Sequence, residues 1–214
     1  MKIGGFQPFT LTDFPQRVAA IVFTQGCNFK CPFCHNVELI SGKPSSDSIP
    51  DEQEVLSRLE QRTGKLDGVV VTGGEPTIQK DLVQFCSKLK SMGYSVKVDT
   101  NGSAPHMLEE LIESGVVDFL AMDIKAPLNI YQRLAGVPVN TDMITRSIKT
   151  IASSGVEHMF RTTFARPLLG ERHVEAILDL VPPGSTHVFQ EFRPEKVLCP
   201  EAFSRQQGQA SSCQ

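Results

Sequence analysis

Gly68-Val69-Val70-Val71-Thr72-Gly73-Gly74-Glu75-Pro76 is followed by Leu82, Phe85, Cys86 and Leu89 at helical spacing, then by Gly93 and Tyr94-Ser95-Val96-Lys97-Val98-Asp99. The first run is too uniformly apolar to be half exposed, so it reads as a strand covered on both faces. Four apolar residues recurring on one side read as a helix lying on that strand, and a glycine just past the last of them reads as its left-handed cap. The second β-branched run then returns as a strand. A strand, helix and strand in this order form a βαβ unit, which joins two parallel strands.

The same alternation continues outward in both directions. Val18 to Phe23, Val117 to Ile124, His158 to Phe164 and His187 to Phe192 add four runs of the same kind, for six strands from Val18 to Phe192. Helical stripes fall between them: Val55, Leu56 and Leu59 after Pro50; Leu108, Leu111 and Ile112; Ile144, Ile148 and Ile151; Val174, Ile177, Leu178 and Val181. Gly115 and Gly155 stand where two of these helices should end. Periodicity alone fits either a doubly wound open sheet or a partial (β/α)6 barrel of parallel strands with outer helices, and both place chemistry at the C-terminal strand ends. No internal repeat or long linker interrupts the pattern. The expectation is one α/β domain over residues 1–200, an exposed Ser- and Pro-rich loop from Ser41 to Asp51, and a polar tail over 201–214.

The composition of the 214 residues narrows the function classes. Apolar residues make up 40% and charged residues 21%, which argues against wholesale disorder and against a membrane bundle. Lys and Arg total 21 against 24 Asp and Glu, a net charge of -3, so no basic field exists to draw a nucleic acid. The longest early apolar stretch, Val18 to Phe23, is too short for a signal h-region or a membrane span, and the expectation is a cytoplasmic protein that engages neither membrane nor nucleic acid. Six cysteines in such a chain are expected to be reduced, with metal chemistry the best use for some of them.

Three of them stand together directly after the first of these strands, in Cys27-Asn28-Phe29-Lys30-Cys31-Pro32-Phe33-Cys34, preceded by Gly26. Thiolates on one tight loop suit a soft metal centre. Structural zinc wants four protein ligands, whereas an iron-sulfur cluster held by three leaves one iron open to a substrate. The competing reading is a zinc loop completed by His35, Cys86, Cys199 or Cys213, although Cys86 looks like a helix-core residue and the last two lie far along the chain. The ends of the later strands add polar groups to the same rim: Thr72-Gly73-Gly74-Glu75-Pro76, Asp99-Thr100-Asn101-Gly102 and Met122-Asp123-Ile124-Lys125. Surface ion pairs, Asp99 with Lys97 or Asp123 with Lys125, are the plainer explanation for these charges.

The cysteine spacing, with aromatic Phe33 before the third cysteine, resembles the signature of the radical S-adenosylmethionine (SAM) superfamily, and the later segments resemble those of its glycyl-radical-enzyme activases. The resemblance runs from about residue 3 to 195. It implies that Cys27, Cys31 and Cys34 hold a 4Fe-4S cluster, with no catalytic side chain beyond the ligands of the cluster and of SAM. It further implies that Gly73, Gly74 and Glu75 hold the SAM amino group, that Phe33 packs on the adenine, and that His35 and Asn36 hydrogen-bond it. Asp99, Asn101, Lys125 and Arg161 would complete the SAM site, and Asp99, Thr100 and Asp123 would hold a possible monovalent cation.

The implied reaction is reductive cleavage of SAM to a 5′-deoxyadenosyl radical, which then installs a glycyl radical on a partner enzyme. The N-terminal Gly4-Gly5-Phe6-Gln7-Pro8-Phe9-Thr10-Leu11-Thr12-Asp13-Phe14-Pro15, otherwise a β-turn with edge packing, is similar to the activase type serving anaerobic ribonucleoside-triphosphate reductase. So is the absence of a ferredoxin-like cysteine insert. A flavodoxin- or ferredoxin-type protein would donate the electron. The alternatives are the activase of another glycyl radical enzyme, and a radical SAM enzyme acting on a small molecule in the manner of 7-carboxy-7-deazaguanine synthase. Cys199 and Cys213 match no motif, and Gln190, at the end of the last strand, has no assigned role.

Overall fold

The structure is a computed structural model that describes residues 1–42 and 49–203. Its seven strands are β1 (Ile3–Thr10), β2 (Ala19–Thr24), β3 (Gly68–Gly73), β4 (Ser95–Thr100), β5 (Phe119–Asp123), β6 (Glu157–Phe164) and β7 (Thr186–Glu191). The helices are α1 (Glu52–Glu60), α2 (Leu82–Ser91), α3 (Pro105–Glu113), α4 (Tyr131–Ala135), α5 (Thr141–Ser153) and α6 (Val174–Leu178). The strands form one sheet in the order β1-β2-β3-β4-β5-β6-β7, with β1 antiparallel to β2 and every later pair parallel.

That order settles the choice which periodicity left open. A doubly wound sheet reverses direction at a switch point, whereas here each parallel strand pairs with the next in the chain, the winding of a β/α barrel. Among the described residues β1 and β7 do not pair, so the barrel is partial. The six strands expected from the sequence are β2 to β7. The seventh, β1, uses the N-terminal segment and covers the free edge of β2. Gly93, Gly115 and Gly155 all lie at positive φ just beyond α2, α3 and α5.

Alternation along the strands sorts residues between two cores. Ala20, Val22, Val69, Val71, Val96, Val98, Leu120, Met122 and Phe160 face the helices, in one core with Leu59, Leu82, Phe85, Cys86, Leu89, Leu108, Leu111 and Ile148. Their neighbours point the other way. Phe14, Ala19, Ile21, Val70, Phe119 and Ala121, with Phe23 and Met159, pack inside the barrel and plug its lower end. Phe14 belongs to the stretch between β1 and β2, so the N-terminal segment supplies this plug as well as an edge strand. The same parity carries Lys97, Asp99, Asp123 and Arg161 inward; Lys97 is level with Val70 and Phe119 of the plug, and Asp99, Asp123 and Arg161 lie above it toward the C-terminal strand ends.

Pro200–Ala202 form a 3-10 turn, and the Phe203 ring lies 4.4 Å from that of Phe192. Residues 204–214, with Cys213, and most of the loop expected over 41–51 lie outside the described residues. Among the described residues, no helix is long and apolar enough to cross a membrane.

Candidate active site

The cysteine loop leaves the top of β2 and is tied down on every side. The Gly26 and Cys27 amides donate to the carbonyls of Leu39 and Ile40 at 2.8 and 3.1 Å, closing the neck of the loop on its own exit. Lys30 N–H donates to the Ala135 carbonyl at the end of α4, 2.8 Å away. From the C-terminal segment, the amides of Leu198 and Cys199 donate to the carbonyls of Cys34 and Pro32 at 3.1 and 3.0 Å. Asn101 Nδ2 donates to Asn28 Oδ1 at 3.0 Å, and Asn28 Nδ2 to Ser103 Oγ at 2.8 Å, so the top of β4 holds the loop too. A loop fixed in this way presents its thiols without needing order from a ligand.

Cys27, Cys31, Cys34 and Cys86 are free thiols. Burial pushes Cys27 up to about 11 and Cys31 to about 12, and raises Cys34 as well; the Lys125 ammonium pulls all three the other way. The thiols are therefore protonated at neutral pH, and binding a metal must release their protons. Phe29 N–H points at the Cys27 sulfur, 3.4 Å away, a contact that favours the thiolate.

The donor set fits an iron-sulfur cluster better than a single zinc ion. Among the described residues no group of three or more His, Cys, Asp or Glu is gathered closely enough to hold one metal ion. A cluster takes each thiolate on a different iron and has no need of such convergence. Two of the four candidates for a fourth zinc ligand are committed elsewhere: Cys86 is sealed in the helix-side core, and Cys199, against the expectation of reduced cysteines, is disulfide-bonded. His35 Nε2 is bonded to the Arg193 carbonyl at 2.7 Å, and Cys213 lies outside the described residues.

The turn after β3 lies directly on this loop. A Cβ on Gly74 would come within 2.1 Å of the Gly26 carbonyl oxygen, and one on Gly73, which has φ +109, within 2.4 Å of the Thr24 amide nitrogen. These glycines are thus required by the approach of the cysteine loop's own neck, a constraint that the sequence reading had placed on a ligand. Glu75, which the resemblance assigned to SAM, is 1% exposed and fully engaged. Its Oε1 accepts from Thr77 N–H, Thr77 Oγ1 and Thr100 Oγ1 at 3.0, 2.5 and 2.8 Å, and its Oε2 from Asn101 N–H at 2.7 Å. The carboxylate staples the top of β3 to the top of β4. Burial raises its pKa against the pull of these donors.

Phe33, His35 and Asn36 are likewise occupied. Phe33 is only 4% exposed, with Lys125 Nζ 5.9 Å from its ring centre, so it offers an adenine little surface. The His35 ring lies 6.0 Å from Phe192 as well as on the Arg193 carbonyl, and Asn36 Nδ2 donates to the Gly73 carbonyl at 3.4 Å. Asn101 spends its amide on Asn28. These four residues position the cysteine and glycine segments.

Inside the barrel mouth the charges form one connected network. Lys97 is paired with Asp99 Oδ1. Arg161 donates from Nη1 to Asp99 Oδ2 at 3.2 Å and from Nε to Asp123 Oδ1 at 2.9 Å, and Lys125 Nζ donates to Asp123 Oδ2 at 3.1 Å. Burial alone would raise Asp123, but the Arg161 guanidinium and the Lys125 ammonium overcome it and hold the carboxyl at about 2. Lys125, despite its burial, is held above its ordinary value by Asp123 and stays charged beside the cysteine loop. Three cations face two carboxylates, so the network is net positive. Sequence reading had weighed Asp99 with Lys97 as a surface pair; it is a buried one, and its signal was an inward lysine in a strand otherwise apolar.

The structure does not gather Asp99, Thr100 and Asp123 into one cation site. Thr100 lies on the other face of β4 from Asp99, and its hydroxyl donates to Glu75. The residues that sequence reading missed are those that hold the loop: Asn28, Ala135 with Gly136, and the strap at Leu198 and Cys199. Asn28 lies within the cysteine motif but its side-chain partners are distant in sequence, and Ala135, Leu198 and Cys199 act through backbone groups that leave no mark on a residue pattern.

Comparison with known proteins agrees with this fold and site. Residues 21–181 match the radical SAM superfamily, and the chain belongs to it. Members of this superfamily use a 4Fe-4S cluster and SAM, and the protein is an enzyme of this class. A Methanocaldococcus jannaschii protein provisionally named as a glycyl-radical enzyme activating enzyme is 30% identical over 198 residues, covering 90% of this chain and 80% of that protein. A Saccharolobus solfataricus protein provisionally named GTP 3′,8-cyclase is 28% identical over 66% of this chain and 46% of its own length. Among solved structures, TYW1 with a lysine-pyruvate adduct bound has a TM-score of 0.62 at 15% identity, covering 84% of this chain and 66% of that one. Native anSMEcpe with bound AdoMet has a TM-score of 0.60 at 18% identity, covering 79% of this chain and 49% of that one. At these identities the structures speak to the fold.

Proposed function

We propose that the protein is a glycyl-radical-enzyme activase whose partner is an anaerobic ribonucleoside-triphosphate reductase. The observation that carries the activase reading is the 30% identity to the provisionally named glycyl-radical enzyme activating enzyme, sustained along 90% of this chain and 80% of that protein; the choice of the reductase as partner rests on the resemblance of the N-terminal segment. Cys27, Cys31 and Cys34 would hold the cluster. When bound there, the cluster supplies the electron that splits the sulfonium of SAM.

The chain's own residues bind, orient and shield. The backbone at Gly73 and Gly74 would hold the amino group of SAM, while Lys125 and Arg161 would offer the net positive charge that its carboxylate needs. Lys125 also offsets the negative charge of three thiolates. The plug of Phe14, Ile21, Val70 and Phe119 closes the lower end of the barrel, so water has no path from below to the reacting centre. The mouth is left without a lid among the described residues, and a glycine-bearing loop of a protein partner can enter it. A flavodoxin- or ferredoxin-type donor and a reducing, cytoplasmic setting belong to the same reading, since the cysteines must stay reduced to take the cluster.

The test is electron paramagnetic resonance on the anaerobically reconstituted, reduced protein with SAM and the reductase from the same source. A glycyl radical doublet that needs every component supports the reading. SAM cleavage with a silent reductase and a modified small molecule would replace it with a small-molecule radical SAM enzyme.

A further inference from the structure

The resemblance drawn from sequence implies a monovalent cation at Asp99 and Asp123, and the residues present do not fit one. All four oxygens of the two carboxylates already accept from a cationic side chain: Lys97 on Asp99 Oδ1, Arg161 on Asp99 Oδ2 and on Asp123 Oδ1, and Lys125 on Asp123 Oδ2. The third expected ligand, the Thr100 hydroxyl, donates to Glu75 at 2.8 Å on the opposite face of β4. A further cation would enter a cluster of three positive charges and two negative ones, where Coulomb repulsion from the fixed cations opposes it.

We propose that the Arg161 guanidinium is a built-in replacement for that exchangeable cation. Two carboxylates converging at a barrel mouth repel each other unless a positive charge stands between them. An alkali ion can do this, and so can the planar fork of an arginine, which reaches both carboxylates with separate N–H groups and cannot diffuse away. Here the fork is placed by the sheet itself: Arg161 on β6 is the register partner of Asp123 on β5, so the two Cα atoms face each other in neighbouring strands. One strand further, Asp99 on β4 takes the other end of the fork. The protein is therefore indifferent to potassium and sodium, and loss of the guanidinium uncovers a latent alkali-ion site at Asp99 Oδ2 and Asp123 Oδ1. The inference concerns these side chains alone and stands whichever molecule receives the radical.

The test compares the cluster-bearing wild type with Arg161→Met and Arg161→Lys in potassium, sodium and choline chloride at equal ionic strength. The readouts are the thermal unfolding midpoint and the binding of thallium(I), a potassium mimic followed by its own NMR signal. The wild type should unfold at one temperature in all three salts and leave the thallium signal unchanged. Arg161→Met should gain several degrees in potassium or sodium over choline and bind thallium, an effect abolished by adding Asp123→Asn. Arg161→Lys should return to indifference. If Arg161→Met folds only with potassium or sodium, the result is the same in stronger form. Three outcomes overturn the proposal: thallium binding by the wild type that Asp123→Asn removes, a folded Arg161→Met with no preference among the salts, and an Arg161→Met that no salt rescues.

Discussion

Gly136 shows how much of this site depends on positions that carry no chemistry. It follows α4 at φ +70, and a Cβ there would come within 2.0 Å of the Lys30 carbonyl oxygen in the cysteine loop. Gly136→Ala therefore meets both a left-handed backbone and a backbone clash, and the first alone costs about 1–3 kcal/mol. The variant should unfold at lower denaturant concentration and retain less iron after reconstitution; normal stability with full iron would show that the loop can shift freely. Asp123 makes a prediction in pH. Its carboxyl sits near 2 in the folded protein, below the ordinary aspartate value of 3.8, so as pH falls the unfolded chain binds this proton first. Its stabilisation, roughly 2 kcal/mol by linkage, is complete above about pH 5 and is lost as pH falls through 3.8 toward 2. Unfolding free energies measured over that window should fall less steeply in Asp123→Asn than in the wild type, and parallel curves would remove the ion pairs from the account.

Among the elements, the strap from Arg193 to Phe203 carries a role that no motif announces. It gives the cysteine loop two backbone hydrogen bonds, at Cys34 and Pro32, and its Arg193 carbonyl holds His35. Truncation after Phe192 removes all three while leaving β7 intact. The shortened protein should lose its cluster to an iron chelator several-fold faster than the full chain, with its far-ultraviolet circular dichroism little changed; equal rates would reduce the strap to surface packing. Strands β2, β3 and β5 were legible because buried parallel strands are nearly continuous apolar runs, whereas the exposed edge strand β7 and its neighbour β6 showed through their β-branched and aromatic residues. β1 was not, since Gly4, Gly5, Gln7 and Pro8 break both apolar continuity and alternation; the edge of β2 and the Leu39 side chain beside Gly4 select that segment. Five-residue α4 was too short for a period to show. Glu75 was legible as a residue of the site, but its role was not, because only tertiary structure brings four donors to its two oxygens.

At the scale of the molecule, the chain's parity rules explain why the chemistry sits where it does. Inward residues on β2, β3 and β5 are apolar low in the barrel, and the inward residues of β4, β5 and β6 become charged toward the C-terminal ends, so one half is a plug and the other a polar mouth. The cysteine loop stands beside that mouth, and Lys125 reaches from Asp123 toward Phe33 within it. This gradient was readable from acids and a lysine ending otherwise apolar strands, whereas the pairing of Lys97 and Arg161 with them required the register. The central claim is that this loop holds a cluster which engages SAM. The most direct measurement is iron and sulfide content, together with the paramagnetic resonance spectrum of the reduced protein before and after addition of SAM, in the wild type and in Cys31→Ser. The account predicts iron and sulfide in equal amounts, a signal that changes shape with SAM, and loss of both in the variant. Bound zinc without iron or sulfide, or a cluster signal that SAM leaves unchanged, would contradict it.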